Sequence, residues 1–331
     1  MLRTMESVDL DAGTAIHVAA APDRFWVSSW DQALSFGAGG IVGVRRQKLG
    51  DVSVPRLTAI RVGRSLERVA SYLVDAGVPC GDLDTDGDFV FAERTHPREP
   101  RGALALRAVG RGGSRAVSLG DVGGWPVALR VTGRDRALLW LASEESEMCL
   151  VDLRDGRFLH RVFIEADGAS ASMIELTASG GAVALGHGGC QEHTMELLDV
   201  GADHLIDRDW AVFAPEGLCV LGADASTLVT VEHGSTAVVR CRDRATGEVL
   251  VERADALRAS FYVPPGHRDA RGWLVSTRGR HGADAVVRIR AEDLAVEEVG
   301  RLPPDVQLYG WPQPGVALVA DSQRASLVRV E

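Results

Sequence analysis

Lysine is almost missing from this chain of 331 residues: Lys48 stands alone, and 35 of the 36 basic residues are arginine (36 − 1). That skew reads as the coding bias of a GC-rich genome. Acidic residues outnumber basic ones, 46 against 36, and the net charge is −10. Such a balance excludes a protein whose main task is to hold nucleic acid, because phosphate binding needs clustered Lys and Arg. Long apolar runs are missing too. No window approaches the roughly 20 apolar residues of a membrane-spanning helix. The amino terminus, Met-Leu-Arg-Thr-Met-Glu-Ser-Val-Asp-Leu, lacks the apolar core of a signal peptide. The expectation is a cytoplasmic protein that binds neither membrane nor nucleic acid.

Cysteine is scarce as well. Cys80, Cys149, Cys190, Cys219 and Cys241 are odd in number and scattered, with no Cys-x-x-Cys pair, which excludes a disulfide framework. Buried free thiols in a reducing compartment are expected instead. No Ser/His/Asp signature, phosphate loop or nucleophile elbow is present, so no residue is assigned a catalytic role.

What the chain does have is a repeating rhythm of short apolar runs. Residues 223–253 show it best. Leu228–Val231 ends in the polar Glu232-His233-Gly234-Ser235. Ala237–Cys241 follows, then the turn Asp243-Arg244-Ala245-Thr246-Gly247 and a further run, Val249–Val251. Anchoring each recurrence on the last apolar residue before a polar break gives Val27, Phe91, Leu141, Leu185, Val231, Val275 and Val319. Their spacings are 64, 50, 44, 46, 44 and 44 by subtraction. Ahead of each anchor stands another strand-like run, and after it a polar loop, a third strand, a turn and a fourth. Gly and Pro at the turns supply the backbone angles of tight hairpins.

Four antiparallel strands repeated seven times predict an all-β fold, a seven-bladed β-propeller over residues 1–331. A lone four-stranded sheet cannot bury both faces, so the ring must close. Ser326–Val330 supplies only a third strand to the last unit. Residues near Thr4–Leu10 supply its fourth, so N- and C-terminal strands close the ring together and no sheet edge is left bare. Over its whole length the chain resembles propellers of the WD40-like and quinoprotein-like kind. The likeness is one of architecture, since Trp30-Asp31 is the sole Trp-Asp pair and Gly-His dipeptides do not recur with the blade period.

The first spacing is about twenty residues too long. Its excess includes Leu66, Val69, Ala70, Leu73 and Val74, the apolar stripe of a helix. Ser65 stands where an N-cap would, and Gly77 and Pro79 follow. A short helical insertion over 64–77, inside blade two, is therefore expected.

Two constellations are candidates for chemistry. Asp82, Asp84, Asp86 and Gly87 stand at the spacing of an EF-hand loop with Glu93 at its twelfth position. The run is also similar to the calcium loops of integrin-type propellers. Calcium is what these resemblances imply. Against them, 89–92 reads as strand rather than helix, and the last Asp of the integrin-type pattern falls at Val90, leaving an acidic hairpin turn as the alternative. The second constellation is the face on which the loops after the second strands emerge. It gathers Trp30, Asp31, Glu93, Arg94, His96, Glu144, Glu145, Glu232, His233, Arg278, Arg280, His281 and Asp321. His187 to His193 belongs there too, with Cys190 and Glu192 between, and is the one further candidate for a metal.

Binding residues concentrate on loops held by a rigid scaffold. A non-catalytic scaffold or regulatory subunit that presents this face to a protein partner is the leading reading, and Trp30, Arg278 and Arg280 are of the types that anchor interfaces. The alternative is a metal-assisted hydrolase or lyase working in the central funnel. Trp125, Trp273 and Trp311 lie in or beside strands and are expected to pack between blades.

Overall fold

Short apolar runs parted by Gly, Asp and Pro turns give strands. Among the described residues the computed structural model has 28 strands and no helix. Described are residues 2–18, 40–46, 56–63, 65–74, 80–94, 102–143, 146–164, 171–175, 182–188, 193–214, 217–233, 237–254, 266–278 and 284–330.

In chain order, β1 (Leu2–Asp9), β2 (Ile16–Val18), β3 (Ile41–Arg46), β4 (Arg56–Val62) and β5 (Leu66–Val74) come first. Next are β6 (Gly81–Leu83), β7 (Phe89–Arg94), β8 (Ala103–Gly110) and β9 (Gly113–Asp121). They are followed by β10 (Trp125–Gly133), β11 (Arg136–Ala142), β12 (Ser146–Asp152) and β13 (Phe158–Ile164). A third group is β14 (Ala171–Glu175), β15 (Ala182–Gly188), β16 (His193–Val200) and β17 (Leu205–Ala214). A fourth is β18 (Gly217–Ala223), β19 (Thr227–His233), β20 (Val238–Asp243) and β21 (Val249–Ala254). Then come β22 (His267–Asp269), β23 (Gly272–Arg278), β24 (Asp284–Arg290) and β25 (Val296–Arg301). The chain closes with β26 (Gln307–Gln313), β27 (Val316–Ala320) and β28 (Arg324–Val330).

These strands form four-stranded sheets. Five take four consecutive strands each: β6–β9, β10–β13, β14–β17, β18–β21 and β22–β25. A sixth, β1-β28-β27-β26, joins both ends of the chain, with Leu2 opposite Val330 and Asp9 opposite Arg324. All six are antiparallel throughout. The remaining sheet, β2-β5-β4-β3, is mixed: β2 lies parallel to β5, with Ile16 opposite Tyr72 and Val18 opposite Val74.

The architecture is that of an all-β propeller. Apolar clusters join each sheet to the next and the last to the first. Tyr72 and Leu83 meet between the mixed sheet and β6–β9, and Leu106 and Leu139 between β6–β9 and β10–β13. Leu150 and Leu198 join the next pair, Val212 and Val220 the one after, and Val239 and Trp273 the pair β18–β21 and β22–β25. Val286 and Leu308 then reach the terminal sheet, and Leu318 and Ile60 return to the mixed one. Trp273 and Trp311 are thus packed between blades, as expected.

Six of the seven anchors lie on second strands: Phe91 on β7, Leu141 on β11, Leu185 on β15, Val231 on β19, Val275 on β23 and Val319 on β27. Val27 lies outside the described residues. Two expectations need correction. The repeat is not seven units of one make, because six sheets are antiparallel and the other takes its outer strand, in parallel, from upstream. Nor is there a helical insertion over 64–77. Leu66–Val74 is β5, the third strand of the mixed sheet, while 64 and 75–77 lie outside the described residues.

The physical reason for the second error is a β-bulge. Ala59 pairs with Ala70 and Ile60 with Arg68, so Val69 is an extra residue on β5. Side chains alternate between faces along a strand, and one inserted residue reverses the phase. Leu66 accordingly packs with Val42 and Ile60 on one face, whereas Ala70, Tyr72 and Val74 pack on the other. An apolar pattern reset in mid-strand imitates a helical stripe.

Neighbouring sheets also interlock through the turns between third and fourth strands. Asp152–Arg157 and Asp243–Glu248 share one geometry, with the fifth residue, Gly156 or Gly247, in the left-handed region at φ 76° and 72°. A Cβ on Gly156 would lie 2.2 Å from the Ser118 carbonyl of β9, and one on Gly247 would strike Trp210 of β17. Each turn therefore sits flush on the outer strand of the preceding sheet. In the equivalent turn after β24 the left-handed residue is Leu294, at φ 55°, wholly buried.

Candidate functional site

Because strands alternate in direction, the ends of all second strands reach one face of the disc, together with the links from fourth strands to the next first strands. Arg94, the last residue of β7, organises the described part of that face. Its guanidinium donates to the carbonyls of Gly102 (3.0 Å), Val122 (2.9 Å) and Gly124 (2.5 Å). Gly102 ends the loop before β8, and Val122 and Gly124 lie in the link to β10. One buried side chain thus ties a loop to a link, in the fork geometry that only arginine offers. Burial pushes its pKa down from the ordinary arginine value.

Of the carboxylates expected on this face, the three within the described residues, Glu93, Glu232 and Asp321, have partners in their own sheets. Glu93 binds Arg107 of β8 at 2.7 Å. Glu232, the penultimate residue of β19, is buried and meets two arginines of β20, Arg240 and, at 2.7 Å, Arg242, while Thr230 donates to it as well. Asp321, just past β27, accepts from the amides of Gln323 and Arg324, both at 2.7 Å, and caps its turn. The Leu10 amide donates to the Gln323 carbonyl at 2.8 Å, so the amino-terminal segment braces the same loop. Ser146, wholly buried, does likewise for the loop after β11 by donating to the Ser143 carbonyl at 3.3 Å.

His233 closes β19, paired with Gly217 and partly exposed. His187 stands on β15 opposite Thr194, His193 on β16 opposite Gly188, and Arg278 ends β23 opposite Asp284. Trp30, Asp31, His96, Glu144, Glu145, Cys190, Glu192, Arg280 and His281 lie outside the described residues. Among the described residues, no group of three or more His, Cys, Asp or Glu side chains is arranged to hold a metal ion.

The acidic turn lies on the opposite face, between β6 and β7. Asp82 is wholly buried on an innermost strand and accepts from the Leu83 amide and, across to the next blade, from the Val131 amide, both at 2.9 Å. Asp84 is also buried. One of its oxygens accepts from the amides of Asp86 and Asp88, and the other meets Arg115 at 3.3 Å. Asp86, by contrast, is exposed. Burial, and then the Asp84 charge, pushes the Asp88 carboxyl up, with Arg115 opposing.

Neither the Arg94 clamp nor the Asp82 bridge was assigned its role from sequence. Both use backbone groups as partners, and nothing in a sequence marks which carbonyl a side chain will meet.

No family model matches the chain, and no curated protein does. Among solved structures it is similar to a chain in the crystal structure of the mitotic checkpoint complex. The TM-score is 0.56 at 12% identity, with 99% of this chain and 96% of that one covered. It is also similar to the Dos1 propeller, with a TM-score of 0.51 at 9% identity, covering 83% of this chain and 72% of that one. At such identity the likeness is one of fold alone. The chain is a β-propeller.

Proposed function

We propose that the protein is a non-catalytic interaction scaffold or regulatory subunit that presents its second-strand loop face to a protein partner. The observation that carries this reading is the engagement of that face's acids: Glu93 and Glu232 are each held by arginines of the neighbouring third strand. Carboxylates committed in this way stiffen a platform and do not turn together toward a substrate or an ion. Arg94 adds rigidity between loop and link. Preformed surfaces bind with less loss of conformational entropy. In support, a chain of similar fold belongs to an assembly, the mitotic checkpoint complex.

In this reading Trp30, Arg278 and Arg280 anchor the partner, and the mixed sheet counts as a seventh blade that completes the ring. Asp82 and Asp84 serve the fold through the amides that they accept from, Asp86 lends its own amide to Asp84, and the turn needs no calcium. The proposed location is the cytoplasm. Cys80, Cys149, Cys219 and Cys241 are all free and buried, and burial pushes the first three thiols up to about 12.

The test is capture from the native cell lysate with wild type and with a Trp30→Ala/Arg278→Ala/Arg280→Ala variant, read by mass spectrometry. A stoichiometric partner held by wild type and lost from the variant is expected. A bound stoichiometric divalent metal, with no partner for either protein, would favour an enzyme of the central funnel instead.

A further inference from the structure

The seam between β13 and β17 is bridged by a hydrogen bond that exists in only one protonation state. His160, on β13 opposite Leu150, accepts at Nδ1 from the Leu205 amide at 3.2 Å. Leu205 opens β17, the outer strand of the next sheet. An amide N–H needs a lone pair to meet, so Nδ1 is bare and the ring proton sits on Nε2. A second proton on the ring would set N–H against N–H.

Several charged groups on the elements around this seam have partners of their own. In the turn before Leu205, Asp203 pairs with His204 at 2.9 Å. On β12, Asp152 holds Arg154 and Glu147 holds Arg161, both at 2.5 Å. Asp199 of β16 holds Arg208 of β17, and Asp207 accepts from the Asp209 amide. Arg136, at the start of β11, acts on Asp203 and lowers its pKa, behind the larger effect of the His204 hydrogen bond. The next two seams are bridged by groups that keep their state near neutrality. Trp210 of β17 donates to the Arg244 carbonyl at 3.2 Å, and Arg253 of β21 to the Asp293 carbonyl at 3.4 Å.

We infer that the His160–Leu205 seam is a proton-sensitive joint: protonation of His160 releases the start of β17 from β13. The apolar cluster around Leu150, Leu198 and Leu205 keeps the two sheets together meanwhile. Acidification therefore loosens one edge of one blade and leaves the ring closed.

Hydrogen exchange resolved to single amides tests this at about pH 8 and about pH 5, the range in which histidine changes charge. Rates are corrected for intrinsic exchange. Protection of the Leu205 amide is expected to fall about tenfold at the lower pH, the loss of roughly one hydrogen bond. The Gly247 amide, bonded to the Asp243 carbonyl at 2.9 Å in a comparable turn, is expected to keep its protection. His160→Asn offers an oxygen at the same branch and does not titrate, so its Leu205 protection is expected to be the same at both pH values. His204→Gln keeps the wild-type response. Equal protection of Leu205 in wild type at both pH values would overturn the inference. So would a response that survives in His160→Asn or vanishes in His204→Gln.

Discussion

Arg94 is the residue on which most depends locally. Removing its guanidinium leaves the buried carbonyls of Val122 and Gly124 without this donor, while the Gly102 carbonyl keeps only the Val122 amide at 3.3 Å. Stranded buried acceptors cost more than a hydrogen bond yields. Arg94→Ala is expected to lower unfolding stability by about 2–4 kcal/mol, measured by urea titration. Lysine, a single ammonium without the fork, recovers only part of it. Asp224 gives the residue scale a pH dependence. Burial opposes its ionisation, yet Arg268 and the amides of Ser226 and Thr227 outweigh that and hold the carboxyl at about 2. Its folded pKa lies below the unfolded value of about 3.9, so the unfolded chain takes up the proton first. The stability it contributes is present above about pH 4 and is lost as the pH falls through about 2. Asp224→Asn is thus expected to lower the urea midpoint near neutrality and to match wild type at about pH 2. At this scale the sequence indicated the ends of second strands, and only some of the side chains expected there fall within the described residues. Glu93, Glu232 and Asp321 do stand at or just past the ends of their second strands. It did not tell that arginines of the third strands would hold the two glutamates, because that depends on register.

Elements were legible wherever strands alternate without interruption. β19, β20 and β21 match the runs at 228–231, 237–241 and 249–251 within a residue or three. β5 was misread because its phase changes at Val69, and a pattern with one inserted residue fits a period of 3.6 as well as a period of two. The mixed sheet was lost with it, since its outer strand comes from upstream and runs parallel. No local signal announces a pairing of that kind. The turns between third and fourth strands yield a prediction in two directions. Gly156→Ala combines a left-handed backbone with a 2.2 Å approach to the Ser118 carbonyl. It is expected to cost at least about 2 kcal/mol, read from chemical unfolding. Leu294→Gly relieves the same backbone strain, worth about 1 kcal/mol. It also gives up a wholly buried leucine worth about 2 kcal/mol. A net loss of about 1 kcal/mol is expected, so glycine is favoured at one copy of the turn and disfavoured at the other.

The ring as a whole depends on the pairing of β1 with β28, which puts both ends of the chain into one sheet. Removing residues 1–9 leaves β28 as a bare edge, a template for association between molecules. The shortened protein is expected to melt at lower temperature and to elute partly as oligomers in size-exclusion chromatography. A peptide of residues 2–9 added in excess is expected to reverse both changes. Ring closure was legible from the want of a fourth strand after Ser326–Val330. The identity of the proposed partner was not, because the loops that would meet it follow no period and no pairing rule.

The proposal that this propeller works through its second-strand loop face is tested most directly by hydrogen exchange of the protein with and without its captured partner. Protection is expected at the ends of β7, β11, β15, β19, β23 and β27 and in the links between blades, with the opposite turns, Asp152–Arg157 and Asp243–Glu248 among them, unchanged. Protection of those turns, with the second-strand ends left unaltered, would contradict it.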